Sequence, residues 1–316
     1  MRVILDTDMA MGVSGSEIDD GFALALIAAD KVFTLELITT VNGNIDVESG
    51  TYLTGELLQR LGINNVPFVR GAGAPLAEPD RLRSASDETR SAFGHHRPSP
   101  GYAAAEIARR VVEAPGEITI IAIGPLTNIA AAINLDPRVA THVKEIVIMG
   151  GVFLQNTNKL DMPGEFNFWV DALAARAVVR SGAPIRLIGL DVTLRVRLTR
   201  EHAAQMADSG RSFGAFAGES TLAWIDANAK RHPRDLDARG SCAMHDPLAV
   251  AAISRPELLT WRDARVDIVA DDNAGRGISV ADFLVSEDSP PPNVSIAVDV
   301  DVDGFMTYFI EQIRSL

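Results

Sequence analysis

Residues 4–26 read ILDTDMAMGVSGSEIDDGFALAL. A short apolar run, residues 3–5, meets an acidic pair, Asp6 and Asp8. After ten intervening residues, a second pair, Asp19 and Asp20, opens an apolar helical stretch, residues 22–29. This spacing predicts a buried strand, a turn carrying carboxylates, and a helix. The pattern then repeats. Residues 35–40, 67–70, 118–123, 146–149 and 185–189 are short β-branched or continuously apolar runs, as expected of strands buried on both faces. Residues 47–61, 126–134 and 173–181 have helical spacing between them. The alternation predicts an α/β fold: an open, mostly parallel, Rossmann-like central sheet with helices on both faces.

The polar stretch 71–100, with its His95–His96 pair, and residues 155–168, ending in GEFNF, interrupt this rhythm as long loops. Such loops commonly carry function. Residues 199–230 read as Ala-rich helix. No repeat or linker-like composition divides the chain, so one domain over residues 1–316 is the expectation.

The chain has 29 Lys and Arg against 42 Asp and Glu, a net charge of −13. That balance argues against a nucleic-acid grip and against an anionic membrane surface. A single cysteine, Cys242, excludes an internal disulfide and fits a reducing compartment. With no signal-like N-terminus and no long apolar span, a cytoplasmic protein is the expectation.

In open α/β sheets ligands bind beyond the carboxyl ends of the strands. Asp6, Asp8, Asp19 and Asp20 converge there. Four carboxylates in one place repel one another unless a cation lies between them. Oxygen-only donors favour Ca²⁺ or Mg²⁺. The alternative for Asp19 and Asp20 is helix capping, where carboxylates also suit the helix dipole.

With these residues in place the chain resembles the nucleoside hydrolase family, the inosine- and uridine-preferring N-ribohydrolases. That family carries Asp-x-Asp-Pro-Gly-x-Asp-Asp after its first strand. Here residues 9–18 replace its three-residue turn. Further likeness lies in ITTVNGN (38–44), IGPLTNIA (123–130), IVIMGG (146–151), GEFNF (164–168) and MHDPLAV (244–250), in family order.

The resemblance implies calcium-dependent hydrolysis of the N-glycosidic bond of a ribonucleoside. Asp8, Asp20, Asp246 and the Ile123 carbonyl would hold Ca²⁺. A metal-bound water would be activated by Asp8 as general base. Asp19 would accept a sugar hydroxyl, Asn44 and Asn167 would bind the 2′- and 3′-hydroxyl region, and Glu165 the 5′-hydroxyl. Asn158 is assigned to the 5′-hydroxyl as well, with Asn156 as the rival. Asp6 would orient the ligands. His245 would protonate the leaving base, and His96, or His95, would contact it. Trp224 and Asn228 lie on the helical stretch that lines the base pocket or simply packs. A homodimer or homotetramer is implied, with a nucleoside as small-molecule partner.

Each residue also has a plainer reading. Asn44 suits a turn, Asp246 a helix start before Pro247, and Cys242 a small buried thiol. Two other functions remain open at this level. One is a haloacid-dehalogenase-type phosphatase, with Asp6 as nucleophile, Asp8 as acid and Mg²⁺ as cofactor. It needs a lysine, and Lys31, Lys144, Lys159 and Lys230 are the only four. The other is a non-catalytic nucleoside or ribose binder, whose site the insertion at 9–18 has spoiled.

Overall fold

The computed structural model describes residues 1–77, 86–271, 274–314 and 316. The first half runs β1 (Arg2–Thr7), α1 (Asp19–Ala29), β2 (Thr34–Thr40), α2 (Val47–Arg60), β3 (Phe68–Arg70), α3 (Asp87–Phe93), α4 (Ala103–Glu113), β4 (Ile118–Ala122), α5 (Thr127–Leu135) and α6 (Arg138–His142). It continues with β5 (Glu145–Met149), α7 (Phe166–Val170), α8 (Ala172–Val179), β6 (Ile185–Ile188), α9 (Leu190–Thr193) and β7 (Arg197–Thr199). The rest is α10 (Arg200–Ala207), α11 (Ser212–Arg231), β8 (Ser241–Ala243), α12 (His245–Ser254), β9 (Leu259–Ile268), β10 (Ser279–Asp282), β11 (Val294–Val300) and α13 (Val302–Ile313).

Among the described residues nine strands form one sheet in the order β10-β9-β11-β6-β5-β4-β1-β2-β3. From β3 to β11 every neighbour is parallel, and β9 and β10 add an antiparallel edge. Alternate side chains of each strand enter opposite layers. Val3 and Leu5 join one apolar cluster, with residues of α1, α12 and α13. Ile4 joins the other, with residues of α4, α5 and α8. The mostly parallel α/β architecture expected from the sequence is thus present. Both faces are covered, which is why β4, ITIIA, is buried at every position.

Two features depart from the expectation. In residues 199–230, Thr199 closes β7 and the helical remainder is split into α10 and α11. The break falls at Gly210, whose φ of +69° lies in the left-handed region that favours glycine. Residues 78–85 of the 71–100 stretch lie outside the described residues. The part that follows contains α3, capped by Ser86 through Thr89 N–H.

The insertion at 9–18 is folded. Met9, Ala10, Met11 and Ile18 are buried, and turns close from Val13 N–H to Ala10 O and from Ser16 N–H to Val13 O. Arg231 of α11 donates to the Gly15 carbonyl at 2.6 Å.

Candidate active site

The carboxyl ends of β1, β2, β4 and β5 face the N-termini of α1 and α12. Asp8, Asp19, Asp20 and Asp246 meet there, all buried. Ligand oxygens of Asp19, Asp20 and Asp246 lie within 4.8 Å of one another. The Asp8 and Asp20 carboxyl groups lie close enough that each feels the other's charge.

The local sequence explains the convergence. Asp20 directs its oxygens to the Thr7 hydroxyl and, at 3.3 Å, to Asn44 Nδ2. Helix α1 has no side-chain cap at Ile18, so capping is not what fixes Asp20. Asp19 Oδ2 accepts the Asp246 backbone N–H at 3.1 Å, which ties the start of α12 to the start of α1. Asp8 Oδ2 accepts the Asn44 N–H at 2.6 Å. Gly43 permits this approach, since a Cβ there would lie 2.1 Å from Asp8 Oδ2.

Burial and mutual repulsion shape the electrostatics. Burial first, then the charges of neighbouring carboxylates, push Asp8, Asp19 and Asp246 well above the usual range. Asp20 rises to about 6, with burial as the cause and the Thr7 and Asn44 hydrogen bonds opposing it. Two like charges 4 Å apart repel by about 4 kcal/mol at an effective dielectric of about 20, so the group cannot ionise fully alone. Among the described residues no Lys or Arg forms an ion pair with any of the four.

Asp8 Oδ1 is buried and without a hydrogen-bond partner, an acceptor for which a cation would be the natural counterpart. The donor set, carboxylates and carbonyls only, suits a hard divalent ion. The residues present therefore fit a metal.

The predicted sugar-binding residues surround this group. Asn167 Nδ2 donates to the Ile123 carbonyl at 3.0 Å and to the Met149 carbonyl at 3.2 Å, joining β4 to β5. Glu165 caps α7. Its carboxylate accepts the N–H groups of Asn167 (2.9 Å), Phe168 (3.2 Å) and Gly151 (3.1 Å), yet burial still raises it to about 7. Asp6 accepts from the Thr39 hydroxyl and from Asn128 Nδ2 at 2.7 Å. Asn128 also donates to Thr40 O and accepts from Ala72 N–H, so it ties the ends of β1 and β2 to the loop after β3.

His245, at the head of α12, lies with Nδ1 2.7 Å from the Thr193 hydroxyl. Burial, then the charge of Arg197, lowers it to about 4, so the imidazole is neutral near pH 7.

Not every predicted residue joins the cleft. Asn156 and Asn158 are exposed, with Asn158 N–H on Asn156 Oδ1 at 2.9 Å and φ of +55° at Asn158. His96 is engaged elsewhere, its Nε2 2.8 Å from Glu56 Oε2. Trp224 packs partly buried against the core under the Arg231 guanidinium, 5.4 Å from the ring centroid. Asn228 is half-buried on the same helix. Cys242 is buried, as expected of a structural thiol, and burial raises its pKa.

One cleft residue was missed. Glu17, from the insertion, has Oε1 4.0 Å from His245 Nε2. Burial, then the charge of Asp20, pushes it to about 7. A lone acid in a Gly- and Ser-rich loop carries no signal except its place two residues before the acidic pair.

The phosphatase reading fails on Lys144, which immediately precedes β5 and so stands at the amino ends of the strands, opposite the cleft.

An acidic cleft at the strand ends of a mostly parallel sheet, flanked by buried polar groups, is the kind of site in which an α/β enzyme could hold a metal ion and a small polar substrate. The sequence model described as inosine-uridine preferring nucleoside hydrolase matches residues 3–307, and the chain belongs to that family. It is 33% identical to the non-specific ribonucleoside hydrolase RihC of Escherichia coli (strain SMS-3-5 / SECEC) over 317 residues, covering 98% of this chain and 97% of the relative. Among solved structures it is similar to a purine-preferring ribonucleoside hydrolase from Gardnerella vaginalis, with a TM-score of 0.85 at 28% identity, covering 100% of this chain and 98% of that one. It is equally similar to the plant nucleoside hydrolase PpNRh1, with a TM-score of 0.85 at 26% identity, covering 100% and 99%. The chain is a nucleoside hydrolase.

Proposed function

We propose that the chain hydrolyses the N-glycosidic bond of ribonucleosides with Ca²⁺ as cofactor, releasing ribose and the free base. The observation that carries this reading is the buried meeting of Asp8, Asp19, Asp20 and Asp246, with Asp8 Oδ1 left without a partner. Asp8, Asp20, Asp246 and the Ile123 carbonyl would hold the ion, which when bound supplies positive charge that acidifies water and orients the ribose diol.

The chain's own residues account for the rest. Positive charge develops on the ribose as the bond to the base breaks. The surrounding carboxylates stabilise that charge. Asp8 takes the proton of the water that attacks C1′. Asp19 and Asn44 accept and donate to the 2′- and 3′-hydroxyls. Asn167 offers Oδ1 there, because its NH₂ is committed to Ile123 and Met149. Glu165, held rigid by three backbone N–H groups, receives the 5′-hydroxyl. His245 is assigned to the leaving base, with Nδ1 anchored by Thr193 and Nε2 left for a proton or hydrogen bond. The folded, core-anchored insertion supports an intact site rather than a spoiled one.

The test is release of free base from inosine, uridine, cytidine, adenosine and guanosine, with calcium and after chelation. Release from at least one nucleoside, abolished by chelation and restored by Ca²⁺, is the expected result. Release of base from none of the five would overturn the reading.

A further inference from the structure

The His95–His96 pair is the sequence feature that the cleft leaves unused. Glu56, on the third turn of α2, faces it. The carboxylate is buried and His96 is nearly so, with side-chain exposures of 9% and 10%. His96 Nε2 lies 2.8 Å from Glu56 Oε2. The His95 ring lies against the His96 ring, centroids 4.0 Å apart and planes tilted by 39°. One ligand atom from each of the three residues falls within 4.8 Å of the others.

We propose that Glu56, His95 and His96 form a second divalent-cation site, separate from the acidic cleft and suited to zinc. Two imidazoles and one carboxylate are a borderline donor set, matched to Zn²⁺ and its transition-metal neighbours rather than to calcium. In a tetrahedral zinc site with bonds of about 2.0–2.2 Å, ligand atoms stand about 3.3–3.6 Å apart. Here His96 Nε2 and Glu56 Oε2 stand 2.8 Å apart, and one ligand atom of each residue lies within 4.8 Å of the others, so side-chain adjustments suffice to reach that value. The ion would take the place of the proton that now links Glu56 to His96. His95 is exposed, so a fourth position would open to water.

The surroundings are built to hold this geometry. Gly55 lets the loop lie on the helix, since a Cβ there would stand 2.6 Å from the His96 Cβ. The loop is closed by Gly94 N–H on Arg90 O and His96 N–H on Phe93 O. Arg60 donates to the other carboxylate oxygen, Glu56 Oε1, at 2.8 Å, which leaves Oε2 as the single oxygen facing the imidazoles. Arg60 is itself fixed over the Phe216 ring at 4.2 Å. Outer partners of this kind orient metal ligands. The bound ion would tie the segment after α3 to α2, and would do so independently of the cleft.

The test is Zn²⁺ binding to untagged, calcium-loaded protein by titration calorimetry, with Co²⁺ as the spectroscopic probe. Wild type is expected to bind one zinc at this site, and the cobalt form to show visible d–d absorption. His95→Ala removes an exposed ligand, and His96→Gln keeps a hydrogen bond to Glu56, so neither relies on a destabilised fold. Each should weaken zinc binding at least about tenfold and lose the cobalt bands, since even outer-partner loss costs that much. Asp246→Asn should retain both. No zinc binding in wild type overturns the proposal. So does zinc affinity unchanged within twofold in both histidine variants, or zinc lost only in Asp246→Asn.

Discussion

The carboxylates of the cleft and those of the surface live under opposite conditions. Asp267 and Glu106 stand beside arginines, and hydrogen bonds from Arg180 and Arg109 hold them below the usual carboxylate range. Asp8, Asp19 and Asp246 are buried beside other acids and driven the other way. The same residue type is therefore satisfied on the surface and frustrated in the cleft. Frustration kept at one place in an otherwise consistent fold marks function, and a bound cation would relieve it.

The largest effect is expected at Asp8. Asp8→Ala should lower kcat by about 10⁴-fold, the upper range for a general base that also binds metal. Arg180→Ala, at the surface pair, should leave kcat unchanged in the same base-release assay. Near-wild-type turnover of Asp8→Ala would erase the contrast between the two regions.

His245→Ala should cost about 10²-fold in kcat on natural nucleosides and much less on p-nitrophenyl riboside, whose leaving group needs no proton. Equal losses on both would remove His245 from leaving-group chemistry.

A smaller effect concerns pH. Asp6, Glu17 and Glu165 titrate near 7 and Asp20 near 6 in the folded chain. Their ordinary values are 3.8 for Asp and 4.5 for Glu. Between about pH 4 and 7 the metal-free native state therefore keeps protons that the unfolded chain has released. Its stability falls as pH rises through that window. His245 acts oppositely: the unfolded chain gains a proton below 6.5 and the buried ring only near 4. One group against four does not reverse the sign. The melting temperature of chelated protein should fall, relative to calcium-loaded protein, from pH 4.5 to 7.5. A gap that narrows as pH rises would contradict this.

The smallest effect is at the surface. The Arg180 and Asp267 side chains are 52% and 47% exposed. Solvent screens such pairs, and Arg180→Ala should move the melting temperature by less than about 2 °C.

The parallel half of the fold was legible because strands covered on both faces are continuous apolar runs, as in ITIIA of β4. The antiparallel edge was not. β9, LTWRDARVDI, alternates buried and solvated residues and offers no such run. The cleft aspartates could be read from their place at a strand end and a helix start. Their supports could not: Thr7, Thr39 and Asn128 act through contacts between residues 13, 33 and 122 apart. Glu17 escaped notice because its partner, His245, lies on a distant helix start. The pairing of His96 with Glu56 is hidden in the same way, since the two stand forty positions apart, on a loop and on α2.

Calcium binding and base release measured on the same samples, in wild type and Asp246→Ala, test the central claim most directly. Wild type should bind calcium in the cleft, release base in proportion to its occupancy, and gain about 2.7 kcal/mol of stability at a hundredfold excess over Kd. Asp246→Ala should lose both binding and release. Full base release from calcium-free wild type, or from Asp246→Ala, would contradict the account.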